Sequence, residues 1–209
     1  MKNIVLLFVL LTAFKMHSQE IKKDSVIKLN EVIIDHKKHK TKITKIKTKG
    51  DELASHPFEY NSVEVSLIKD IPVGTLQSVT FHFNVGLVNM AKKALEIVYK
   101  DTPLALVIYE VNPDGTPGKA ISDKQIQFTV KANFKGSMEL DLASLHIPTQ
   151  PHLFIGLVAM SEQKGHTVVV KIYDNPNAVT YFKKYNSDAW EEDKGFPHQI
   201  RMTVKVAGE

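Results

Sequence analysis

The sequence predicts an all-β protein, an antiparallel β-sandwich of jelly-roll-like topology. Three observations carry that expectation. Apolar residues recur at every second position in run after run. The runs are short and are separated by turn residues at short intervals, and helical periodicity is scarce. The composition agrees: of 209 residues 43% are hydrophobic and 24% charged, with 10 Gly and 9 Pro, which suits a chain with a core and excludes a disordered or collagen-like one. The chain has no Cys, so it is neither a disulfide scaffold nor a cysteine-ligated metal protein. A domain of this length buries roughly 70% of its unfolded surface and needs no such staple.

Taken in order, Val63, Val65 and Leu67 alternate with Glu64 and Ser66, which predicts a strand with its valines turned to the core. Val79, Phe81, Phe83 and Val85 share one face of the next. Leu104 to Val111 is a more continuous apolar run, as expected of a central strand. Ile126 to Val130 and Met138 to Leu142 alternate again, and Leu153 to Met160 is nearly all apolar. Val168 to Tyr173, Val179 to Tyr185 and Ile200 to Val206 complete the set. Asn112 to Gly118 reads as a hairpin loop around Asp114-Gly115, Asp174 to Asn177 as a further turn, and Pro148 and Pro151 flank another. Ala91 to Tyr99 fits one or two helical turns or a strand.

The ends and the charge speak of location. Met1-Lys2-Asn3 precedes an apolar run, Ile4 to Phe14, and a polar boundary at His17 to Glu20, so residues 1–18 are expected to be a signal peptide. That run spans about 16 Å as a helix, against a ~30 Å hydrocarbon core. No later run is long enough for a transmembrane helix, so an exported protein is expected, in the periplasm, at the outer-membrane surface or outside the cell. Residues 19–49 are expected to be an extended segment with a short strand over 27–34 and a Lys-rich linker over 36–49. Residues 50–209 are the expected sandwich. The first 49 residues hold twelve Lys against four acids, whereas the remainder holds fifteen Lys plus Arg against nineteen acids, a net of −4. The basic balance therefore comes from the leader and the tract, and an exported chain with an acidic body is not expected to bind nucleic acid.

Signatures of chemistry are sparse. There is no GxSxG elbow, HExxH helix, Walker A loop or GxGxxG after a strand, so no catalytic residue, metal ligand or cofactor is assigned. His56 and Glu59 lie three apart, but Pro57 argues against a helix that would align them. His146 and His152 flank a turn without a third ligand. His82 should point outward. Asn112-Pro113-Asp114-Gly115 offers too few carboxylates for a calcium loop, and Glu139 and Asp141 share the solvent side of a strand. The best binding hint is aromatic: Trp190, Tyr185 and Tyr181, with Asn186 and Asp188 nearby, could place flat rings under a sugar and polar groups around it. The alternative is that Trp190, the lone Trp, plugs one end of the sandwich.

Two segments resemble known proteins. Ile27 to Ile34, IKLNEVII, resembles the strand that follows the carboxypeptidase regulatory-like domain of TonB-dependent outer-membrane receptors. Leu106 to Gly118 is similar to a strand and hairpin of exported Gram-negative envelope β-sandwich proteins related to that group, in which strands like Asp141-Leu142 and Phe154 to Leu157 follow. The resemblance implies an envelope location and a sandwich fold and brings no catalytic residue. Together these readings predict a non-catalytic envelope module that binds an envelope protein, through strand addition by residues 27–34, or a surface polymer. The alternatives are a carbohydrate-binding module centred on Trp190 and a hydrolase.

Overall fold

Alternating apolar residues that must leave water on two faces build the architecture of this protein, seen in a computed structural model that describes residues 42–58, 60–84, 87–89, 94–96, 100–122, 126–132, 134–160 and 168–208. All of these lie in one unit, Lys40–Glu209. The expected leader and the segment 27–34 fall outside the described residues, as does most of Ala91 to Tyr99.

In chain order the strands are β1 (Ile43–Lys47), β2 (Glu52–Phe58), β3 (Ser62–Ile68), β4 (Gly74–Asn84), β5 (Leu87–Asn89) and β6 (Ala94–Glu96). There follow β7 (Thr102–Val111), β8 (Pro117–Ala120), β9 (Ile126–Val130), β10 (Gly136–Asp141) and β11 (Leu153–Ala159). The last five are β12 (Val168–Asp174), β13 (Thr180–Lys184), β14 (Glu191–Glu192), β15 (His198–Ile200) and β16 (Met202–Gly208). The first sheet runs β1-β16-β4-β12-β15, with β10 beside β4 and β2 beside β12. The second runs β14-β13-β3-β11-β7-β8, with β9 beside β7, and β5 and β6 pair with each other. The expected all-β sandwich is what forms.

The main core lies between the two sheets. Leu76, Val79, Phe81 and Phe83 of β4 meet Leu104, Leu106 and Ile108 of β7 and Leu153, Ile155 and Leu157 of β11. A second apolar cluster, Val63, Val65, Ala105, Phe154 and Val158, lies on the other face of the second sheet. Strand β11 supplies residues to both clusters, which is why all seven of its residues are buried and its sequence is a continuous apolar run. Gly156 sits opposite Val65. A Cβ there would lie 1.9 Å from the Glu64 carbonyl oxygen and 2.6 Å from Val65 Cα, so only glycine lets β3 and β11 approach.

Strand β3 corrects an expectation. Its alternation is as read, but Val63 and Val65 belong to the outer cluster, so Glu64 and Ser66 face the opposite sheet. A period of two identifies two faces but not which one meets the other layer, and here both are covered. A second correction concerns the Lys-rich tract, whose residues 43–47 form edge strand β1 paired with β16 along its length. Thr44 and Ile46 are partly buried while Ile43, Lys45 and Lys47 are exposed, and Ile46 packs on the core. Lys45 and Lys47 thus stand on the exposed face of a strand rather than in a solvated linker, while residues 36–41 of the tract lie outside the described residues. Thr48 extends the pairing: its hydroxyl donates to the Met202 carbonyl at 3.2 Å and accepts from the Met202 N–H at 2.8 Å. Pro57 hides strand β2 from the sequence; it is tolerated because, among the described residues, β2 pairs only with β12 and a proline fits an edge.

Thr48→Ala is expected to destabilise the protein by about 1–2 kcal/mol by leaving the Met202 amide unpaired. Lys47→Ala on the exposed face should stay within about 0.5 kcal/mol. Chemical denaturation measures both, and two silent substitutions would mean that this stretch is a linker after all.

Candidate functional site

Glu64 is carried into the space between the sheets because its valine neighbours claim the other face of β3. It is 6% exposed. Two imidazoles meet it there, His198 from β15 and His56 from β2. His198 Nε2 lies 2.9 Å from Glu64 Oε1, and His56 Nε2 lies 3.1 Å from Oε2. The other ring nitrogen of His198, Nδ1, is 2.9 Å from the Phe196 carbonyl oxygen and 3.4 Å from Asp193 Oδ2. A carbonyl oxygen and an ionised carboxylate only accept, so with Glu64 ionised this arrangement favours the imidazolium form of His198, both ring nitrogens donating.

The titration directions agree with the geometry. Burial by itself would raise the Glu64 pKa, but hydrogen bonds from His198 and His56 and the charge of both rings overturn that and hold it at about 2. Burial would lower that of His198. The Glu64 hydrogen bond and charge, with help from the Phe196 carbonyl and Asp193, raise it instead. The pair is a charge-assisted clasp from one sheet to the other.

Neighbouring polar ties extend the clasp. Thr180 donates its hydroxyl to the His198 carbonyl at 2.5 Å, Ser66 accepts the Ile200 N–H at 3.0 Å, and the two hydroxyls lie 3.1 Å apart. Gln199 donates to the Leu67 carbonyl at 2.9 Å. Beside the cluster opens a cavity of about 290 Å³, walled also by Pro57, Val63 and Phe182. One ligand atom from each of His56, Glu64 and His198 falls within 4.8 Å of the others. No spacing in the sequence announces this: the contacts join residues 8 and 134 positions apart. The one signal in the sequence is a carboxylate between two valines, and alternation alone does not say which face looks inward.

The aromatic residues divide. Trp190 stands perpendicular to Tyr109, centroids 5.2 Å apart at 84°, with the Lys183 ammonium 4.7 Å above its ring. Together with Asn112, Thr116 and Asp188 they line a groove of about 530 Å³. Trp190 and Asp188 therefore share one site. Tyr181 and Tyr185 pack on the outer cluster, as Trp190 and Tyr109 also do, but do not line the groove; Tyr181 stands edge-on to Phe154, and Asn186 is exposed and outside the groove. Tyr109, which sequence reasoning left inside an apolar run, is the ring that completes it.

The remaining polar residues are engaged separately. Asp114 accepts from the Thr116 amide at 3.0 Å and its hydroxyl at 2.7 Å, closing the hairpin around Gly115 at φ +85°. Glu139 accepts from Ser78 and Lys205, both at 2.6 Å, and Asp141 from the Ala143 amide. His146 and His152 are exposed and His82 half-exposed. Burial and then Arg201, Lys171 and Lys47 depress the His82 pKa.

No family model matches the chain, and no curated protein matches it. Among solved structures it is similar to the cysteine protease and lectin-like domains of Cwp84, a surface-layer-associated protein of Clostridium difficile, at 10% identity and TM-score 0.49, over 78% of this chain. The clostridial cysteine protease Cwp84 after propeptide cleavage gives the same figures. A structure of infectious bursal disease virus, Gt strain, follows at 11% identity and TM-score 0.26. The chain spans 37%, 42% and 38% of these three chains' lengths. Among the described residues no helix is long and apolar enough to cross a membrane.

The clasp fixes a pH window. Glu64's contribution is complete above pH 4.5, its ordinary value, and drains away as the pH falls toward about 2. That of His198 is complete below its ordinary 6.5 and is lost as the pH rises through the elevated folded value. The melting temperature of chelator-treated protein is therefore expected to peak between about pH 4.5 and 6.5. Glu64→Ala should cost about 3–5 kcal/mol and flatten the acid limb. An unchanged profile in that variant would show that the clasp contributes nothing.

Proposed function

We propose that this chain is an exported, non-catalytic cell-envelope module that binds a surface polymer, seating a saccharide unit in the groove that Tyr109 and Trp190 line. The observation that carries the reading is the groove itself: two perpendicular aromatic rings beside an amide, a carboxylate, a hydroxyl and an ammonium. Sugars are recognised by that combination, apolar C–H faces on an aromatic ring and hydroxyls on a few convergent polar groups. Lys183 already covers part of the Trp190 ring, so the binding shape is a corner between two rings rather than an open platform.

The non-catalytic reading is supported by the state of the acids. Glu64 is ionised and doubly bonded, and Glu139 is bonded by Lys205 and Ser78, which leaves neither poised as a general acid or base. Export rests on the basic start and apolar run at residues 1–18. The other reading, an envelope protein as partner through residues 27–34, concerns a segment outside the described residues.

Gel retardation in a panel of envelope polysaccharides tests the proposal, with fluorescence of the lone Trp as a second readout. Retention by at least one polymer is expected, and Trp190→Ala or Tyr109→Ala should weaken it at least about tenfold, the loss of one aromatic contact. Retention by none, or retention indifferent to both substitutions in folded protein, contradicts it.

A further inference from the structure

We infer that His56, Glu64 and His198 form a binding site for a divalent first-row transition ion of the zinc class, with one coordination position open to the cavity beside them. The inference stands apart from the saccharide groove and does not depend on it.

The donor set is two imidazole nitrogens and one carboxylate, drawn from three strands of both sheets. Such a set suits zinc and its neighbours rather than calcium or magnesium, which prefer oxygen. The three donor atoms already lie within 4.8 Å of one another, and both imidazoles present the same atom, Nε2, to the centre of the group. Ligands about 2 Å from a common zinc are about 3.3 Å apart; His198 and His56 reach different oxygens of Glu64, at 2.9 and 3.1 Å, so the carboxylate must turn to offer the ion a shared edge or a single oxygen, and the two rings must close together. Their centroids are 5.2 Å apart.

The surroundings match those of a ligating histidine. His198 Nδ1 is fixed by the Phe196 carbonyl, with Asp193 next to it, the second-layer support that holds a metal-binding imidazole in one tautomer. That hydrogen bond survives metal binding, because the ion takes the place of the Nε2 proton, which passes to solvent. Glu64 and Asp193 supply two negative charges against the ion's two positive ones. A simple buried ion pair needs one imidazole. The second, His56, has a side chain 33% exposed and reaches the carboxylate from the cavity wall, which gives the ion a route in. Phe182 and Thr180 also line the cavity, leaving room for a water or a ligand oxygen as fourth donor.

The test is isothermal titration of untagged, EDTA-stripped full-length protein with Zn²⁺, followed by Co²⁺ as an optical probe. The inference predicts one saturable ion per chain at micromolar or tighter affinity, a raised melting temperature, and Co²⁺ visible bands of four-coordinate geometry. His56→Ala, at a half-exposed position that folding should tolerate, is expected to weaken binding at least about tenfold. A His36→Ala/His39→Ala double variant should leave it unchanged. Absence of a stoichiometric site overturns the inference. So does binding that survives His56→Ala or vanishes in the His36/His39 variant, since the ion would then sit elsewhere.

Discussion

A carboxylate buried between two sheets is the constraint around which this sandwich is arranged. Glu64 cannot sit there uncompensated, because an ionised group removed from water without partners costs far more than a small domain can spare. It is compensated by two imidazoles from the opposing sheet, one of them a cation whose second nitrogen is itself held by a main-chain carbonyl. The geometry therefore demands that β2, β3 and β15 meet in one register. A slip of one residue in β3 would withdraw Glu64 and insert a valine against the imidazoles. The polar ties of Ser66, Thr180 and Gln199 follow from the same placement, since every second residue of β3 on that face is polar until Ile68.

The inward turn of Glu64 has a counterpart on the outer face. Because Val63 and Val65 point away from the other sheet, the second sheet is apolar on both sides, and β11 and β7 feed two clusters at once. That outer cluster carries Tyr109, Tyr181, Tyr185 and Trp190 at its border, so the aromatic groove and the buried clasp are opposite consequences of one strand's orientation. The central strands' run of unbroken apolar residues records the same fact.

Much of this was legible in the sequence. Strands β3, β4, β7, β9, β10, β11, β12 and β13 stand where alternation or continuous apolar character put them, and the hairpin closes on Asp114-Gly115. Strand β1 escaped because seven lysines in its tract drowned a partly buried Thr44 and Ile46, and β2 escaped because Pro57 breaks the pattern that identifies a strand. The site was half legible. An aromatic cluster near the C-terminus pointed to Trp190 and Asp188, while Tyr109 looked like one more core residue. Nothing in spacing could assemble His56, Glu64 and His198, because their meeting depends on which face of β3 looks inward, and periodicity is silent on that choice.

The protonation of His198 bears most directly on the clasp. In uniformly ¹⁵N-labelled, metal-free protein near pH 7, the ring nitrogens of His198 should both resonate as protonated, donating species, at a pH where most of an ordinary histidine has lost one proton. A neutral ring, with one nitrogen bare at that pH, would mean that Glu64 is not answered by a cation, and the orientation of β3 would lose its electrostatic rationale.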